Sequence, residues 1–329
     1  MAYDLTKSKD RLALAAQIKE DINEYCVKVY GSEERRSHLG ASQIGKECAR
    51  ELWYNFRWVK TVKFDGRMHR LFNRGHKEED RFCEWLRGAG ITVQEFEPSL
   101  LYLDTVTDQY IVGKFPENDI LMNVSGSSSH LSEAEKRGIE FPAKKQMKVS
   151  GVEGHFSGSM DGKAFLNKYD CSFALITEFK TSSDKYFKKM IVDGVRVTKP
   201  EHYAQMCVYG YKEKVKFGLY LMINKNDDSI HVEVVELDWL FAEELEHKAD
   251  FIITSQVAPP RAYDKPTDFR CRYCDYLDIC WNNAEIEKNC RSCKLCNAAE
   301  NKEWYCDKWN SNIPFENIKD GCKGWIAIC

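Results

Sequence analysis

Asp161, Glu178 and Lys180 are the residues whose types and spacing could do chemistry in this chain. Asp161 sits in the glycine-flanked run Gly158-Ser159-Met160-Asp161-Gly162, and Glu178 follows 17 residues later, with Lys180 just beyond Phe179. On a strand, residues i and i+2 share a face, so Glu178 and Lys180 point the same way while Phe179 points into the opposite layer. Two carboxylates from neighbouring strands can hold a divalent cation through hard oxygen ligands, and an adjacent ammonium can orient or activate an attacking water. Such a set suits hydrolysis of a phosphodiester.

An acidic residue two before a lysine is a weak signal alone. It recurs at Asp161, Glu178, Glu246 and Glu300, and a salt-bridged surface strand accounts for any one of them. Context separates Glu178, which closes an apolar run from Phe173 to Thr177 and precedes a helical segment bearing Gln205 and Tyr209. Those two, spaced i, i+4, share one helix face, where an amide and a phenol could touch Lys180 or a nucleic-acid phosphate. A further carboxylate comes from residues 67–87. Projected at about 100° per residue, Met68, Leu71, Phe72, Gly75, Phe82, Cys83 and Leu86 form one stripe, with Glu79 near its centre and Glu78 turned away. A carboxylate aimed into an apolar face needs a partner, which either an Arg or Lys or a metal ion can supply.

Cysteine is in excess: five of 14 lie in residues 1–262 and nine in the last 67. With no export signal, the crowding favours metal ligation over disulfides, because cytosolic thiols are kept reduced. Cys271, Cys274 and Cys280 form a cluster, and Cys48 stands far upstream. Three clustered thiolates and a distant fourth can close a tetrahedral site or bind an iron–sulfur cluster, and four thiolates suit Zn²⁺ equally well. Cys290, Cys293, Cys306 and Cys322 could make a second, zinc-ribbon-like site, with Cys296 and Cys329 as spares. Free thiols in a loose tail are the alternative, although a segment so poor in aliphatic residues would hardly fold without a metal. Trp304, Trp309 and Trp325 could stack on bases, but filling the small core is the favoured reading.

The elements that must position these groups read as α/β. Residues 8–30 pattern as a helix, a second helical stretch starts at Ser42 as N-cap with Trp53, Tyr54, Phe56 and Trp58 as core anchors, and a third helix covers 67–87. Strands are expected within 91–103 and 108–115, an exposed loop with a helical turn at 123–138, and a strand around a glycine turn at 155–168. A buried strand at 171–182, a helix at 199–213, a hairpin over 217–237 and a helix at 238–256 follow, and three prolines mark a boundary near residue 262. The expected units are therefore 1–262 and a Cys-rich 263–329. The net charge of −3 means that a nucleic-acid partner must be met by a local patch. No run reaches the ~18 apolar residues of a membrane span, so a cytoplasmic protein is expected.

Asp161 in its Ser-Met-Asp-Gly run, Glu178 and Lys180 around Phe179, and Gln205 followed by Tyr209 together resemble the motif series of the PD-(D/E)XK nucleases, in the RecB-like and phage exonuclease branch. The resemblance spans roughly residues 40–280. Glu79, four residues after Gly75, stands at the family's first acidic position, where RecB-type members often carry His and lambda-exonuclease-type members carry Glu. The resemblance implies a restriction-endonuclease-like α/β core, a mixed central sheet flanked by helices, followed by a Cys-rich metal-binding region. It implies that Glu79, Asp161, Glu178 and the Phe179 carbonyl bind Mg²⁺ or Mn²⁺, and that Lys180 positions and helps deprotonate water. Gln205 and Tyr209 would brace the site or the DNA, and Lys199 and, less so, His202 would meet phosphates.

Cys48, Arg50 and Tyr54, with Cys271, Cys274 and Cys280, resemble the iron staple of RecB-like nucleases, with Ala49 in place of the usual proline. That implies a structural [4Fe–4S] cluster, with Zn²⁺ the alternative. The activity so implied is DNA exonuclease action in phage or mobile-element recombination or end processing, alongside a partner protein in bacterial or phage-infected cytosol. Its rivals are a CRISPR-associated-type nuclease trimming DNA ends for a partner complex, a non-catalytic metal-stapled DNA-binding protein, and a structural metalloprotein.

Overall fold

Two apolar runs, β9 (Ala174–Ser182) and β10 (Phe217–Asn224), are buried on both faces, as parallel neighbours covered by helices must be. The computed structural model that shows this describes residues 4–31, 35–96, 100–113, 119–124, 127–139 and 146–329. β9 and β10 pair in parallel with Glu178 beside Tyr220 and Lys180 beside Met222. β11 (Ile230–Glu236), β8 (Gly162–Phe165) and β2 (Thr92–Gln94) add antiparallel, giving a mixed five-stranded sheet ordered β11-β10-β9-β8-β2. β11 alternates exposed and half-buried residues, the pattern of an edge strand with one wet face.

Three smaller sheets surround this one. β1 (Leu39–Gly40), β7 (Phe156–Ser159) and β6 (Lys148–Gly151) make the first, β4 (Gln109–Gly113), β3 (Leu100–Asp104) and β5 (Leu121–Asn123) the second, and β12 (Cys296–Ala298), β13 (Trp304–Cys306) and β14 (Ser311–Asn312) the third.

Helices cover both faces of the central sheet. On one, α3 (Gly66–Gly88) packs Phe82, Cys83 and Leu86 onto Val93, Leu175, Phe179, Leu219 and Leu221, and α1 (Ser8–Tyr30) lies against α3. On the other, α6 (Pro200–Glu213) and α7 (Trp239–Thr254) bury Met206, Tyr209, Leu245 and Ile252 with Ile176, Tyr220 and Met222. That larger core runs on past residue 262 to include Cys293, Cys296, Trp304, Ile318 and Ile328. Among the described residues no helix is long and apolar enough to cross a membrane.

Two expectations are corrected, and one segment without an assignment gains one. The helix expected from Ser42 divides into a 3₁₀ turn, Ala41–Gln43, and α2 (Ala49–Phe56), so Cys48 rather than Ser42 stands at the α-helical N-cap. The break includes Gly45, where the chain passes so close to α6 that a Cβ would lie 2.7 Å from the Glu201 Cα, an approach only glycine allows. The expected loop at 123–138 holds α4 (Ser128–Lys136), whose cap Ser127 accepts from His130 N at 3.4 Å and whose Ala134 is buried against Leu101 and Val124. The unassigned segment before α6 is α5 (Asp184–Thr198), which bends at Gly194 with φ 70°. Parts of the expected loops and strands at 32–34, 97–99, 114–115 and 125–126 lie outside the described residues.

Candidate active site

The pairing of β8 with β9 ends at Gly162 beside Thr177, which leaves the next inward N–H of β9 without a strand partner. Asp161, at the turn into β8, takes it: Phe179 N donates to Asp161 Oδ2 at 2.8 Å. The same bond sets the Asp161 carboxylate beside Glu178. Glu178 is completely buried and forms an ion pair with Lys180, which also donates from Nζ to the Phe179 carbonyl at 3.1 Å. Apart from that ion pair, neither Glu178 oxygen has a hydrogen-bond partner among the described residues. A buried carboxylate so poorly provided is short of positive charge.

Glu79 approaches from the helical layer. Phe82, one turn on, stacks on Phe179 with ring centroids 5.1 Å apart, which fixes α3 against β9 and sets Glu79 in the field of Asp161 and Lys180. Burial, then Asp161, pushes the Glu79 carboxyl up to about 7, with Lys180 opposing. Burial likewise raises Glu178 against the pull of Lys180, with Asp161 and Glu79 adding to the rise. Burial also works against the Lys180 ammonium, but the charges of Glu178, Asp161 and Glu79 outweigh it and hold its pKa above the usual lysine value. Thus Glu79, Asp161, Glu178 and Lys180 share one electrostatic neighbourhood. As they stand, however, no three His, Cys, Asp or Glu side chains among the described residues are arranged to hold a metal ion.

The stripe drawn for α3 is too narrow. Glu78, expected to turn away, is the more deeply buried of the pair and meets Arg81 at 2.9 and 2.8 Å, with Arg74 at 4.0 Å. Because α3 touches both α1 and β9, its buried arc is wide enough to take in Glu78 as well as Glu79. Phe72, placed on the stripe, is instead exposed and sits edge-on to Phe64.

Gln205 and Tyr209 act on the turn that carries Asp161. Gln205 Nε2 donates to Tyr209 Oη at 3.2 Å, and Tyr209 Oη donates to Ser159 O at 2.8 Å, two residues before Asp161. Gly158 makes the approach possible, since a Cβ there would lie 2.6 Å from Tyr209 Oη. His202, expected to meet a phosphate, is engaged within the fold: its Nδ1 lies 2.9 Å from Tyr220 Oη and its ring stacks on that of Tyr220. Burial, with Lys180 and Lys199 adding, pushes His202 down to about 3, so it stays neutral. Lys199 lies over the Tyr186 ring at 4.6 Å. Tyr220, unnoticed in the sequence, is the one aromatic residue between Gly218 and Asn224 in an otherwise aliphatic strand.

Cys48, Cys271, Cys274 and Cys280 line one recess with Arg50, Tyr54, Arg261 and Trp281, and all are free thiols. Cys271 is raised by burial, and the charges of Cys48 and Cys280 act on it. Cys290, Cys293, Cys296, Cys306 and Cys322 line a second recess with Trp309 and Trp325. Trp304 is buried in the core as expected, whereas Trp309 is 63% exposed because it sits on the rim of that recess.

No protein-family model and no curated protein matches the sequence. Among solved structures the chain is similar to the crystal structure of SSO0001, with 13% identity and a TM-score of 0.40, over 80% of this chain and 96% of that one. It is also similar to an alkaline exonuclease, LHK-Exo, from Laribacter hongkongensis, with 15% identity and a TM-score of 0.38, over 66% of this chain and 87% of that one. Against the same exonuclease in complex with dAMP the identity is 13% and the TM-score 0.34. Superpositions this loose leave the chemistry to the chain's own residues.

Proposed function

We propose that this chain is a divalent-metal-dependent nuclease that hydrolyses DNA phosphodiester bonds from ends. The observation that carries the reading is the convergence of Glu79, Asp161 and Glu178, from three separate elements, on the Lys180 ammonium. The donor set fits Mg²⁺ or Mn²⁺: it is hard oxygen with excess negative charge, and the buried Glu178 carboxylate lacks partners that a cation would supply. Glu79, Asp161, Glu178 and the Phe179 carbonyl would hold the ion, the last of them now accepting from Lys180. Bound there, such a cation polarises phosphoryl oxygens and offsets charge that develops on them.

Lys180 stays protonated, so it does not act as a base. It orients the attacking water by donating hydrogen bonds, and its field favours loss of the water's proton. Gln205 and Tyr209 hold the turn that presents Asp161. The motif resemblance supports DNA as substrate and a place in recombination or end processing. It also supports a structural [4Fe–4S] cluster at Cys48, Cys271, Cys274 and Cys280, whose four thiols share one recess. Zn²⁺ in that recess is the alternative, and the visible spectrum and metal content of anaerobically purified protein decide between them.

End-labelled linear DNA incubated with protein and Mg²⁺ or Mn²⁺ tests the activity. Degradation should stop on chelation and fall by about 10²-fold or more in Lys180→Ala and Glu178→Ala. Wild-type rates in Lys180→Ala would sink the assignment. That no three His, Cys, Asp or Glu side chains among the described residues stand ready to hold an ion is the observation behind a second reading, in which the fold grips DNA without cutting it. DNA binding at low salt with no cleavage under any divalent metal would establish that one.

A further inference from the structure

Two guanidinium groups are buried where the C-terminal segment meets the rest of the fold, and no carboxylate neutralises either among the described residues. Arg57, just after α2, donates from Nη2 to Cys293 O at 3.0 Å and to Cys296 O at 2.8 Å, leaving Nε and Nη1 without partners. Arg291 donates from Nη1 to Ser37 O at 3.0 Å, leaving Nε and Nη2 without partners. It lies 4.5, 4.2 and 4.5 Å from the ring centres of Phe56, Trp58 and Trp304, and Arg57 lies 5.5 Å from that of Trp304. Aromatic faces offset part of the cost of desolvating a cation, but a buried charge calls for an opposite one.

Cys293 and Cys296, whose carbonyls Arg57 holds, also line the second cysteine recess, a cavity of about 340 Å³ whose charged lining residues are Lys308 and Asp320, of opposite sign. Its sulfurs already take backbone hydrogen bonds: Gly324 N donates to Cys322 Sγ at 3.3 Å and Ile326 N to Cys293 Sγ at 3.4 Å. Sulfur is a weak acceptor as a thiol and a much better one as a thiolate, so two N–H groups aimed at two sulfurs suit the deprotonated form. Cys290 is within the electrostatic reach of Cys322, Cys293 and Cys306. Cys296 is the most deeply buried of the five cysteines, which sets it apart as a core residue.

We propose that Cys290, Cys293, Cys306 and Cys322 bind one Zn²⁺ as a tetrathiolate, and that Arg57 and Arg291 are the buried counter-charge of that centre. Four thiols lose four protons as one dication binds, so the unit carries two negative charges against two guanidinium groups. A Cys-x2-Cys pair joined by a hairpin cysteine and a later loop cysteine is a zinc-ribbon ligand arrangement. Among the described residues no three side chains are set to hold an ion as they stand, so binding requires the sulfurs to move toward one another.

The test is elemental analysis of the full chain, purified anaerobically without chelator, together with the visible spectrum after Co²⁺ replaces zinc. Wild type should hold zinc at this site and give the intense bands of tetrahedral cobalt thiolate. Cys322→Ser should lose about one zinc per chain, as should Cys306→Ser, with the metal at Cys48, Cys271, Cys274 and Cys280 unchanged. Cys322→His, which keeps a ligand, and Cys296→Ala should both retain the zinc. Full zinc in Cys322→Ser, loss of zinc in Cys296→Ala, iron rather than zinc leaving with Cys322, or a wild-type chain without cobalt thiolate bands would each overturn the proposal. A failure of DNA degradation would leave these metal counts untouched, so the zinc site and the nuclease reading stand or fall separately.

Discussion

One ammonium among three carboxylates sets how the candidate site responds to pH. Glu79 is pushed up to about 7 and Glu178 moves in the same direction. A carboxyl whose folded pKa exceeds its unfolded value of about 4.3 binds its proton more tightly in the folded state. That stabilising contribution is complete below the unfolded pKa and is lost as pH rises through about 7. Metal-free protein should therefore melt at lower temperature at about pH 8 than at about pH 5. Ligation needs the ionised carboxylates, so Mg²⁺ should raise the melting temperature more at about pH 8 than at about pH 6. Thermal denaturation across pH, with and without Mg²⁺, measures both, and Glu79→Gln should flatten the metal-free slope.

At this scale much was legible. The two-residue strand period placed Glu178 and Lys180 on one face, and the structure pairs them. The 17-residue spacing from Asp161 spans one hairpin, whose register sets the three groups side by side. Glu79 was found by projecting the helix, but the projection could not show that Glu78 also turns inward to Arg81. His202 and Tyr220 were not legible as a pair. Tyr220 lies beside Glu178 only because two strands far apart in sequence run parallel in one register, and no local pattern encodes that.

At the scale of elements, helix α6 acts as a brace on a neighbouring turn. Gly158→Ala would place a methyl carbon 2.6 Å from Tyr209 Oη, in a contact that real side chains do not make. Such overpacking costs about 1–3 kcal/mol, and relief requires the Asp161 turn or α6 to move. The variant should thus lose stability in denaturant titration and lose DNA degradation out of proportion. Tyr209→Phe, which removes one hydroxyl, should cost only about 0.5–1.5 kcal/mol. Strands β9, β10 and β11 and helices α3, α6 and α7 were readable because long periodic segments survive packing. The helix expected from Ser42 was not, since the break includes Gly45, whose close pass by Glu201 is a long-range contact that no local pattern encodes. The β-branched residues and Gly194 of α5 obscured a helix that burial of Phe187 and Met190 sustains.

Across the whole molecule, the cysteine-rich segment is not a pendant. Its Trp304 and Ile328 belong to the same apolar cluster as Trp53 and Phe56, and Arg57 and Arg291 sit between the two parts. Shared burial couples their unfolding, so calorimetry should show one transition for both, and zinc removal should move that transition as a unit rather than release an early one. A separate low-temperature transition for residues 263–329 would contradict this coupling.

The bond from Arg57 to the Cys293 and Cys296 carbonyls joins groups 236 and 239 residues apart. During synthesis at about 5–20 residues per second, α2 waits roughly 10–50 s for that partner to leave the ribosome. Within that interval every strand of the central sheet is made, the last ending at Glu236, and α7 arrives to take the Trp53 indole at Ser255 O, while the Arg57 guanidinium still lacks its carbonyl partners. The central strands are therefore made before α2 gains this cover, and the fold is not closed around Arg57 until residues 293–296 are available.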